Sequence, residues 1–212
     1  MRRRPERVHA IVPLNVIGKS KTRLSPLLDP AQRARLTAAM LADVLRSLAG
    51  SSRIARVTVV SADRSALPIA QKYGARFLWE GKRRGLNGAL KLAIRRLGSP
   101  VVMIVHADLP FVTTRDIDEF IMKSAGYQAV IVPSKDGTGT NALFLKPPNV
   151  MPPAFGGRSF RKHLFLAKKR KLHCKVLRIR AVQFDLDEPR DLRRFMKHGA
   201  RNQTFRFLRT IL

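Results

Sequence analysis

The sequence predicts one α/β domain with three layers, in which helices cover both faces of a mostly parallel central sheet. Short apolar runs alternate along the 212 residues with longer segments that have an amphipathic helical period. The run at residues 101–105 (VVMIV) is apolar throughout, as expected for a central strand covered on both faces. Because no repeat or linker divides the chain, we expect residues 1–212 to form a single domain.

The first predicted elements are a buried strand, a loop and a long helix. Residues 9–14 (HAIVPL) form a short apolar run, and residues 15–29 are polar and basic and include a glycine and a proline. Asp29, followed by a proline and with Gln32 at the third helical position, has the pattern of a capping box. An apolar stripe then continues to a glycine, which predicts a helix over residues 30–50.

The same reasoning places the remaining elements in alternating order. Strands are predicted at residues 56–61, 75–79, 101–105, 129–132, 142–145 and 175–179, and helices at 66–73, 87–97, 114–124, 159–170 and 189–198. The tail, residues 199–212, is too apolar to stay free in solvent, so we expect it to pack on the body of the domain or on a second subunit.

Charge is the unusual feature of the composition. The 42 Lys and Arg against 14 Asp and Glu give a net charge of +28, and no acidic residue occurs between Gly137 and Phe184. Such a surface attracts polyanions, so non-specific nucleic-acid binding is one interpretation, and a basic solvated surface without a partner is the other.

The single cysteine, Cys174, allows no intrachain disulfide, and no apolar stretch is long enough to span a membrane. We therefore expect a cytoplasmic protein without a signal peptide or membrane anchor.

The loop after the first strand contains Gly18-Lys19-Ser20, which looks like the end of a phosphate-binding P-loop. The leading glycine of that motif is replaced by Pro13, and Pro26 interrupts the helix that should follow, so a true P-loop is disfavoured. Two interpretations remain for this segment. Either its basic side chains clamp a triphosphate, or the segment is an ordinary solvated loop. The basic residues in question are Lys19, Lys21 and Arg23.

Acidic residues stand out in so basic a chain. Asp108 follows the most apolar strand, and Asp185 and Asp187 precede the last predicted helix. Magnesium uses one or two carboxylates and takes its other ligands from water and substrate phosphates. These residues are therefore candidates for a Mg²⁺ site, although Asp187 could equally cap a helix and Asp108 could be a turn residue.

Two loops of small residues, at 137–141 (GTGTN) and 156–159 (GGRS), are rich in backbone N–H and hydroxyl donors. Loops of this kind bind oxyanions, and plain turn chemistry is the alternative for each of them.

The residues His106, His163 and Cys174 are interpreted as structural, because no triad-like arrangement is suggested by their order.

Taken together, these segments resemble the 2-phospho-L-lactate guanylyltransferases of coenzyme F-420 biosynthesis. The resemblance extends over residues 11–192 and depends on the order of six short motifs. They are KSKTRLSP at 19–26 with Pro13, GLNGAL at 85–90, ADLP at 107–110, GTNAL at 139–143, FGGRSF at 155–160 with His163, and DLDEP at 185–189 with Asp191-Leu192. The tail beyond Asp191, with six basic residues and no acid, departs from the family pattern and has no function that the resemblance implies.

The resemblance implies a Rossmann-like nucleotidyl-diphosphosugar transferase fold and a reaction between GTP and 2-phospho-L-lactate. The products would be lactyl-2-diphospho-5'-guanosine and pyrophosphate, and related members take phosphoenolpyruvate or 3-phosphoglycerate instead. Other possibilities stay open for the acceptor, for the oligomeric state and for the function of the fold. The acceptor could be another acid or a sugar phosphate, the chain could be a homodimer, or the fold could serve as a basic RNA-binding module.

The resemblance also implies roles for individual residues. Catalysis would use Lys21, Arg23 and Asp108, and the nucleotide would contact Gly18, Lys19, Lys21, Arg23, Gly85 and Asn87. The phosphorylated acid would contact Thr140, Gly156 and Ser159, and Mg²⁺ would be held by Asp108 and Asp187 with Asp185.

Overall fold

A seven-stranded sheet forms the centre of the computed structural model, which describes residues 7–81 and 85–212. The strands are β1 (Val8–Pro13), β2 (Ile54–Ser61), β3 (Arg76–Trp79), β4 (Val102–Val105), β5 (Ala129–Pro133), β6 (Thr140–Leu145) and β7 (Cys174–Val176). Their spatial order is β3-β2-β1-β4-β6-β5-β7. Because β6 alone runs antiparallel to its neighbours, the predicted mostly parallel sheet is confirmed.

The helices of the described ranges connect these strands. They are α1 (Pro30–Ala49), α2 (Leu67–Lys72), α3 (Gly85–Leu97), α4 (Thr114–Lys123), α5 (Ser159–Lys169), α6 (Arg180–Gln183), α7 (Pro189–His198) and α8 (Gln203–Leu208). The capping box predicted for α1 is present, since the Asp29 side chain accepts from the Gln32 N–H at 2.8 Å and Gln32 bonds back to the Asp29 N–H. Of the helices in these ranges, none combines the length and apolar content that crossing a bilayer requires.

Alternation along the strands divides the apolar interior into two cores. In β4, Met103 and Val105 face the core shared with α1 and α4, whereas Val102 and Ile104 face the core shared with α3 and α5. All four residues are buried, as the continuous apolar run predicts for a strand covered on both faces. The fold is therefore a three-layer α/β arrangement, as predicted.

Two local predictions differ from the structure. The strand expected at 175–179 ends at Val176, although the Leu177 N–H still donates to the Ile131 carbonyl at 3.0 Å. The apolar residues that suggested a longer strand are buried by the short helix α6, which returns Val182 to the same core. The loop over residues 15–29 contains two 3₁₀ turns, at Ile17–Lys19 and Thr22–Leu24.

The tail packs on the body of the same chain. The carboxylate of Asp43 in α1 is 2% exposed and accepts hydrogen bonds from the backbone N–H groups of Gln203 and Thr204 at 2.9 and 2.8 Å. The Thr204 hydroxyl donates to the same carboxylate at 2.7 Å. Leu208 is fully buried in a third apolar cluster with residues of α1 and α7. The buried carboxylate thus joins α8 to α1.

Replacing Asp43 by asparagine should lower the free energy of unfolding by about 1–3 kcal/mol, because an amide nitrogen would face donors that now share one carboxylate. Denaturant unfolding measures the change. The matched control is Glu119→Gln, which removes only an exposed pair with Lys123 and should change stability by less than about 0.5 kcal/mol. Equal effects of the two substitutions would contradict the role assigned to Asp43.

Candidate functional site

The centre of the sheet contains a topological switch between β1 and β4. The chain leaves β1 toward β2 on one side and leaves β4 toward the strands on the other side, so the loops that follow the two strands separate. Open α/β sheets bind ligands in the crevice formed at this point. A cavity of about 380 Å³ lies there, and its ionisable lining residues are Lys19, Lys21, His106, Asp108 and Asp187.

A shared ion pair holds the floor of this cavity together. The Nζ of Lys21 lies 2.7 Å from Asp108 Oδ2 and 2.5 Å from Asp187 Oδ1, and only 6% of the Lys21 side chain is exposed. The Lys21 backbone is left-handed, with φ 57° and ψ 37°, which costs a non-glycine residue on the order of 1 kcal/mol or more. The two carboxylates offset this cost because they fix the ammonium between them. The strained backbone therefore marks a residue that is held in place for its side chain.

The charges of Lys21 and Asp108 depend on each other. Burial by itself would lower the pKa of Lys21, but the negative charges of Asp108 and Asp187 and their hydrogen bonds outweigh burial and raise that pKa. Burial likewise would raise the pKa of Asp108, yet the Lys21 ammonium and the nearby His106 lower it. Lys21 is thus a cation and Asp108 an anion at neutral pH.

A second network positions the loop that carries Asp187. One Asp191 oxygen accepts from the backbone N–H groups of Asp187 and Glu188 at 3.1 and 2.9 Å, and the other pairs with Lys135 Nζ at 2.7 Å. Lys135 Nζ also donates to the Asp185 carbonyl at 2.7 Å. Burial, together with the charges of Asp108 and Asp187, raises the pKa of Asp185. A cation bound nearby would lower the pKa of Asp185 again and so favour its ionised form.

The predicted magnesium ligands were compared with this geometry. Within residues 7–81 and 85–212 there is no group of three or more His, Cys, Asp or Glu side chains arranged to hold a metal ion. However, Asp108 and Asp187 both reach the same Lys21 Nζ, and Asp108 Oδ1 is buried without a hydrogen-bond partner. Since Mg²⁺ requires only one or two carboxylates, Asp108 and Asp187 are sufficient in number and kind to hold the ion, and the Mg²⁺ site at Asp108, Asp187 and Asp185 stays a prediction.

The other predicted nucleotide contacts lie at different depths. Lys19 is exposed and lines the cavity, and Gly18 is exposed in the first 3₁₀ turn with open space around it. The Arg23 side chain is 71% exposed and lies at the rim, where it approaches Glu188 at 3.5 Å. Only Lys19 and Lys21 of the predicted clamp therefore line the cavity in this structure.

The start of α3 forms the opposite wall. Gly85, with φ 68°, begins the helix and lines a smaller pocket beside the main cavity together with Leu86. The Asn87 side chain is engaged on both sides by Phe155, donating from Nδ2 to the Phe155 carbonyl at 2.9 Å and accepting from the Phe155 N–H at 2.8 Å. Asn87 thus anchors the 155–159 loop to α3, and its predicted contact with a nucleoside is untested.

The predicted acceptor residues lie at the start of β6 and around the start of α5, and they are not among the residues that line the cavity. Because β6 is antiparallel to β4, its first residue, Thr140, lies near the end of β4 that leads to Asp108, and the His106 N–H donates to the Asn141 carbonyl at 3.1 Å. Thr140 and Ser159 are both 2% exposed, whereas Gly156 is exposed in the loop before α5. Their role in binding an acid stays a prediction, but the fold brings them together.

Sequence reasoning missed three residues of this region. His106, interpreted as structural, lines the cavity, and its ring lies 5.1 Å from that of Phe155. His163 connects the acceptor segments, and Lys135 holds the 185–191 loop. The position of His106, two residues before Asp108 at the end of a buried strand, was a usable signal. Lys135 gave none, because its partners are distant in sequence, and His163 was noted only with the FGGRSF motif, without the contacts it makes.

Comparison with known proteins agrees with this geometry. The profile of the family described as "Guanylyl transferase CofC like" matches residues 8–212. A phosphoenolpyruvate guanylyltransferase from Rubrobacter xylanophilus is 39% identical over 196 residues, which cover 91% of this chain and 95% of that protein. A 2-phospho-L-lactate guanylyltransferase from Methanocaldococcus jannaschii is 32% identical over 205 residues, which cover 97% of this chain and 89% of that protein.

A solved structure shares the fold at lower sequence identity. It is described as a nucleotide-diphospho-sugar transferase from Desulfovibrio desulfuricans G20 and superimposes with a TM-score of 0.78 at 18% identity. The superposition covers 97% of this chain and 95% of that one. The predicted nucleotidyl-diphosphosugar transferase fold is thereby confirmed.

Replacing Lys21 by methionine should raise the pKa of Asp108 above its usual range. Without the ammonium, burial and the nearby Asp187 charge both favour the protonated carboxyl. Titration of the Asp108 carboxyl carbon by NMR measures the shift. Lys123→Met removes a similar but exposed ammonium and should leave the pKa of Asp108 low. If the pKa of Asp108 stays low in Lys21→Met as well, Lys21 is not the group that keeps it ionised.

Proposed function

Because the chain belongs to the CofC-like guanylyl transferase family, which its residues 8–212 match, we propose that it transfers the guanylyl group of GTP to the phosphate of 2-phospho-L-lactate. The observation that carries the residue assignment is the buried Lys21 ammonium, shared by Asp108 and Asp187 on the floor of the switch-point cavity. Such a site can bind a polyphosphate next to a cation. The predicted catalytic set is Lys21, Arg23 and Asp108.

The proposed reaction is an in-line substitution at phosphorus. An oxygen of the acceptor phosphate attacks the α-phosphorus of GTP, and the bond from that phosphorus to the bridging oxygen breaks as pyrophosphate leaves. No covalent intermediate on the protein is needed, so the enzyme mainly orients two anions and stabilises the charge that develops on the leaving group. Lys21, buried at the floor of the cavity, and Arg23, exposed beside Glu188, are the residues proposed to stabilise the leaving phosphates, and Lys19, which lines the cavity, is proposed to contact the nucleotide.

Asp108 and Asp187 are the residues proposed to hold Mg²⁺. A bound Mg²⁺ would supply Lewis-acid polarisation of the phosphate oxygens. The pair with Lys21 keeps Asp108 ionised before any ligand binds, so that this carboxylate is ready to accept a cation. The Asp191 and Lys135 network holds Asp187 at a fixed position on the other side.

Phosphoenolpyruvate is the second candidate acceptor. It has the same three carbons as 2-phospho-L-lactate, with the phosphate and the carboxylate both attached to C2, and differs by a double bond between C2 and C3. Relatives from Sphaerobacter thermophilus and Rubrobacter xylanophilus, at 35% and 39% identity, are named phosphoenolpyruvate guanylyltransferases. Use of 3-phosphoglycerate or a sugar phosphate stays a less favoured alternative.

The remaining expectations, about binding partners and cellular location, rest on the sequence alone. Non-specific nucleic-acid binding stays a prediction from the net charge of +28, and a homodimer stays a prediction from the apolar tail. The docking of that tail on α1 of the same chain weakens the reason for expecting a dimer. A cytoplasmic location likewise stays a prediction.

Incubation with GTP, Mg²⁺ and each of four acceptors should release pyrophosphate with 2-phospho-L-lactate or phosphoenolpyruvate. The panel also includes 3-phosphoglycerate and glucose 1-phosphate, and an enzyme-coupled pyrophosphate assay measures the rate. Replacing GTP by ATP, CTP or UTP tests whether the base is read. Turnover with the sugar phosphate alone, or with none of the four compounds, would contradict the proposed function.

Asp108→Asn should reduce turnover by about 10³-fold or more while the protein stays folded. The substitution keeps the size of the side chain but removes the charge that pairs with Lys21 and is proposed to bind Mg²⁺. Circular dichroism checks the fold, and Glu119→Gln is a control carboxylate far from the cavity lining. Near wild-type turnover in Asp108→Asn would remove this residue from the catalytic set.

A further inference from the structure

A buried histidine links the two segments predicted to bind the acceptor. His163 lies in α5 and is fully buried. Its Nδ1 is 2.9 Å from the Thr140 hydroxyl oxygen, and its Nε2 accepts the backbone N–H of Ala154 at 3.0 Å. One imidazole therefore bonds to the first residue of β6 and to the loop that precedes Gly156.

The backbone contact determines which ring nitrogen carries the proton. A backbone N–H can only donate, so Nε2 must be the unprotonated nitrogen. In a neutral imidazole the other nitrogen, Nδ1, then carries the hydrogen. The second contact is consequently a bond from Nδ1–H to the oxygen of Thr140, with the hydroxyl as acceptor.

The ring is held in this neutral state. Burial lowers the pKa of His163 to about 4, and the positive charges of His106 and Lys162 act in the same direction. Protonation of Nε2 would also destroy its bond to Ala154. The Ala154 backbone is itself fixed, because the next residue, Phe155, is held on both its N–H and its carbonyl by Asn87.

The bond from His163 makes the Thr140 hydroxyl a hydrogen-bond donor toward any further partner. Since its oxygen accepts from His163, its own hydrogen is free to be donated, and the described residues give that hydroxyl no other hydrogen-bond partner. A hydroxyl that accepts one hydrogen bond becomes a better donor in the next one.

From this arrangement we propose that His163 is a positioning residue, which fixes the Thr140 hydroxyl as a hydrogen-bond donor to an anionic group of the phosphorylated acid. The inference rests on the proposed function, because it takes the acceptor to be bound at Thr140. It adds a residue that does not contact the substrate but sets the polarity of one that does. A hydroxyl held as a donor recognises a phosphate or carboxylate oxygen and gains nothing from a neutral donor group.

The tautomer can be tested on the protein alone. In ¹⁵N-labelled protein at pH 7, the His163 ring should give the shift of a protonated Nδ1 and of an unprotonated Nε2, with Nε2 unprotonated from pH 7 down to about pH 5. Assignment uses the signals that disappear in His163→Gln. A protonated Nε2 at pH 7 would overturn the proposal, whatever the outcome of activity measurements.

Two substitutions at the same position separate the contacts. In His163→Asn the short amide can still donate to Thr140 but cannot reach Ala154, whereas in His163→Gln the longer amide can accept from Ala154 but leaves Thr140 without its donor. We expect the calorimetric Kd for 2-phospho-L-lactate or phosphoenolpyruvate to rise about 10-fold in His163→Gln and less than about 3-fold in His163→Asn. The Kd for GTP should change in neither variant.

A double-substitution cycle with Thr140 completes the test. Thr140→Val should weaken acid binding by about 10-fold, whereas Thr140→Ser, which keeps the hydroxyl, should retain most of the wild-type affinity. In the Thr140→Val background, His163→Gln should cause no further loss of affinity. Additive losses, or equal losses for GTP and the acid, would overturn the positioning role. If the wild-type protein binds neither acid, the site assignment and the inference both fail. Acid binding without pyrophosphate release would overturn only the proposed function.

Discussion

The structure of the site depends on one ammonium group held between two carboxylates. Lys21 follows β1, Asp108 follows β4 and Asp187 precedes α7, so this single contact ties together three loops that are 87 and 166 residues apart in sequence. An unpaired charge in this position would be costly, and the Lys21 ammonium keeps the buried Asp108 ionised while the two carboxylates keep Lys21 charged. The same contact places opposite charges next to one another on the floor of the cavity, which is what binding a polyphosphate together with a cation requires.

The surrounding elements make this contact specific. Leu24 is fully buried in the cluster with residues of α1 and α7, which anchors the basic loop just after Lys21. Asp191, through Lys135 and two backbone N–H groups, fixes the loop that carries Asp187. Rigid support of this kind keeps a catalytic group in one geometry before the substrate arrives, so that less reorganisation is needed during the reaction.

The sequence was sufficient to predict the layers and the edge of the sheet at which the site lies, because apolar periodicity and the ends of parallel strands are local properties. Asp108 could be identified in this way from its place after an apolar strand. The insertion of Lys21 between two carboxylates could not, since it depends on a left-handed backbone residue and on contacts between distant segments. For the same reason, the bonds from Asn87 to Phe155 and from His163 to Thr140 left no signal in the local sequence.

A double-mutant cycle on Lys21 and Asp108 tests the central claim most directly. The free energy of unfolding is measured for the wild type, Lys21→Met, Asp108→Asn and the double variant. We predict a coupling of about 1–2 kcal/mol, because Lys21→Met leaves the buried Asp108 carboxylate without its cation and Asp108→Asn leaves Lys21 with Asp187 as its remaining carboxylate, whereas the double variant removes both charges of the pair. Single losses that add to the double loss within about 0.5 kcal/mol would contradict the claim that this ion pair organises the site.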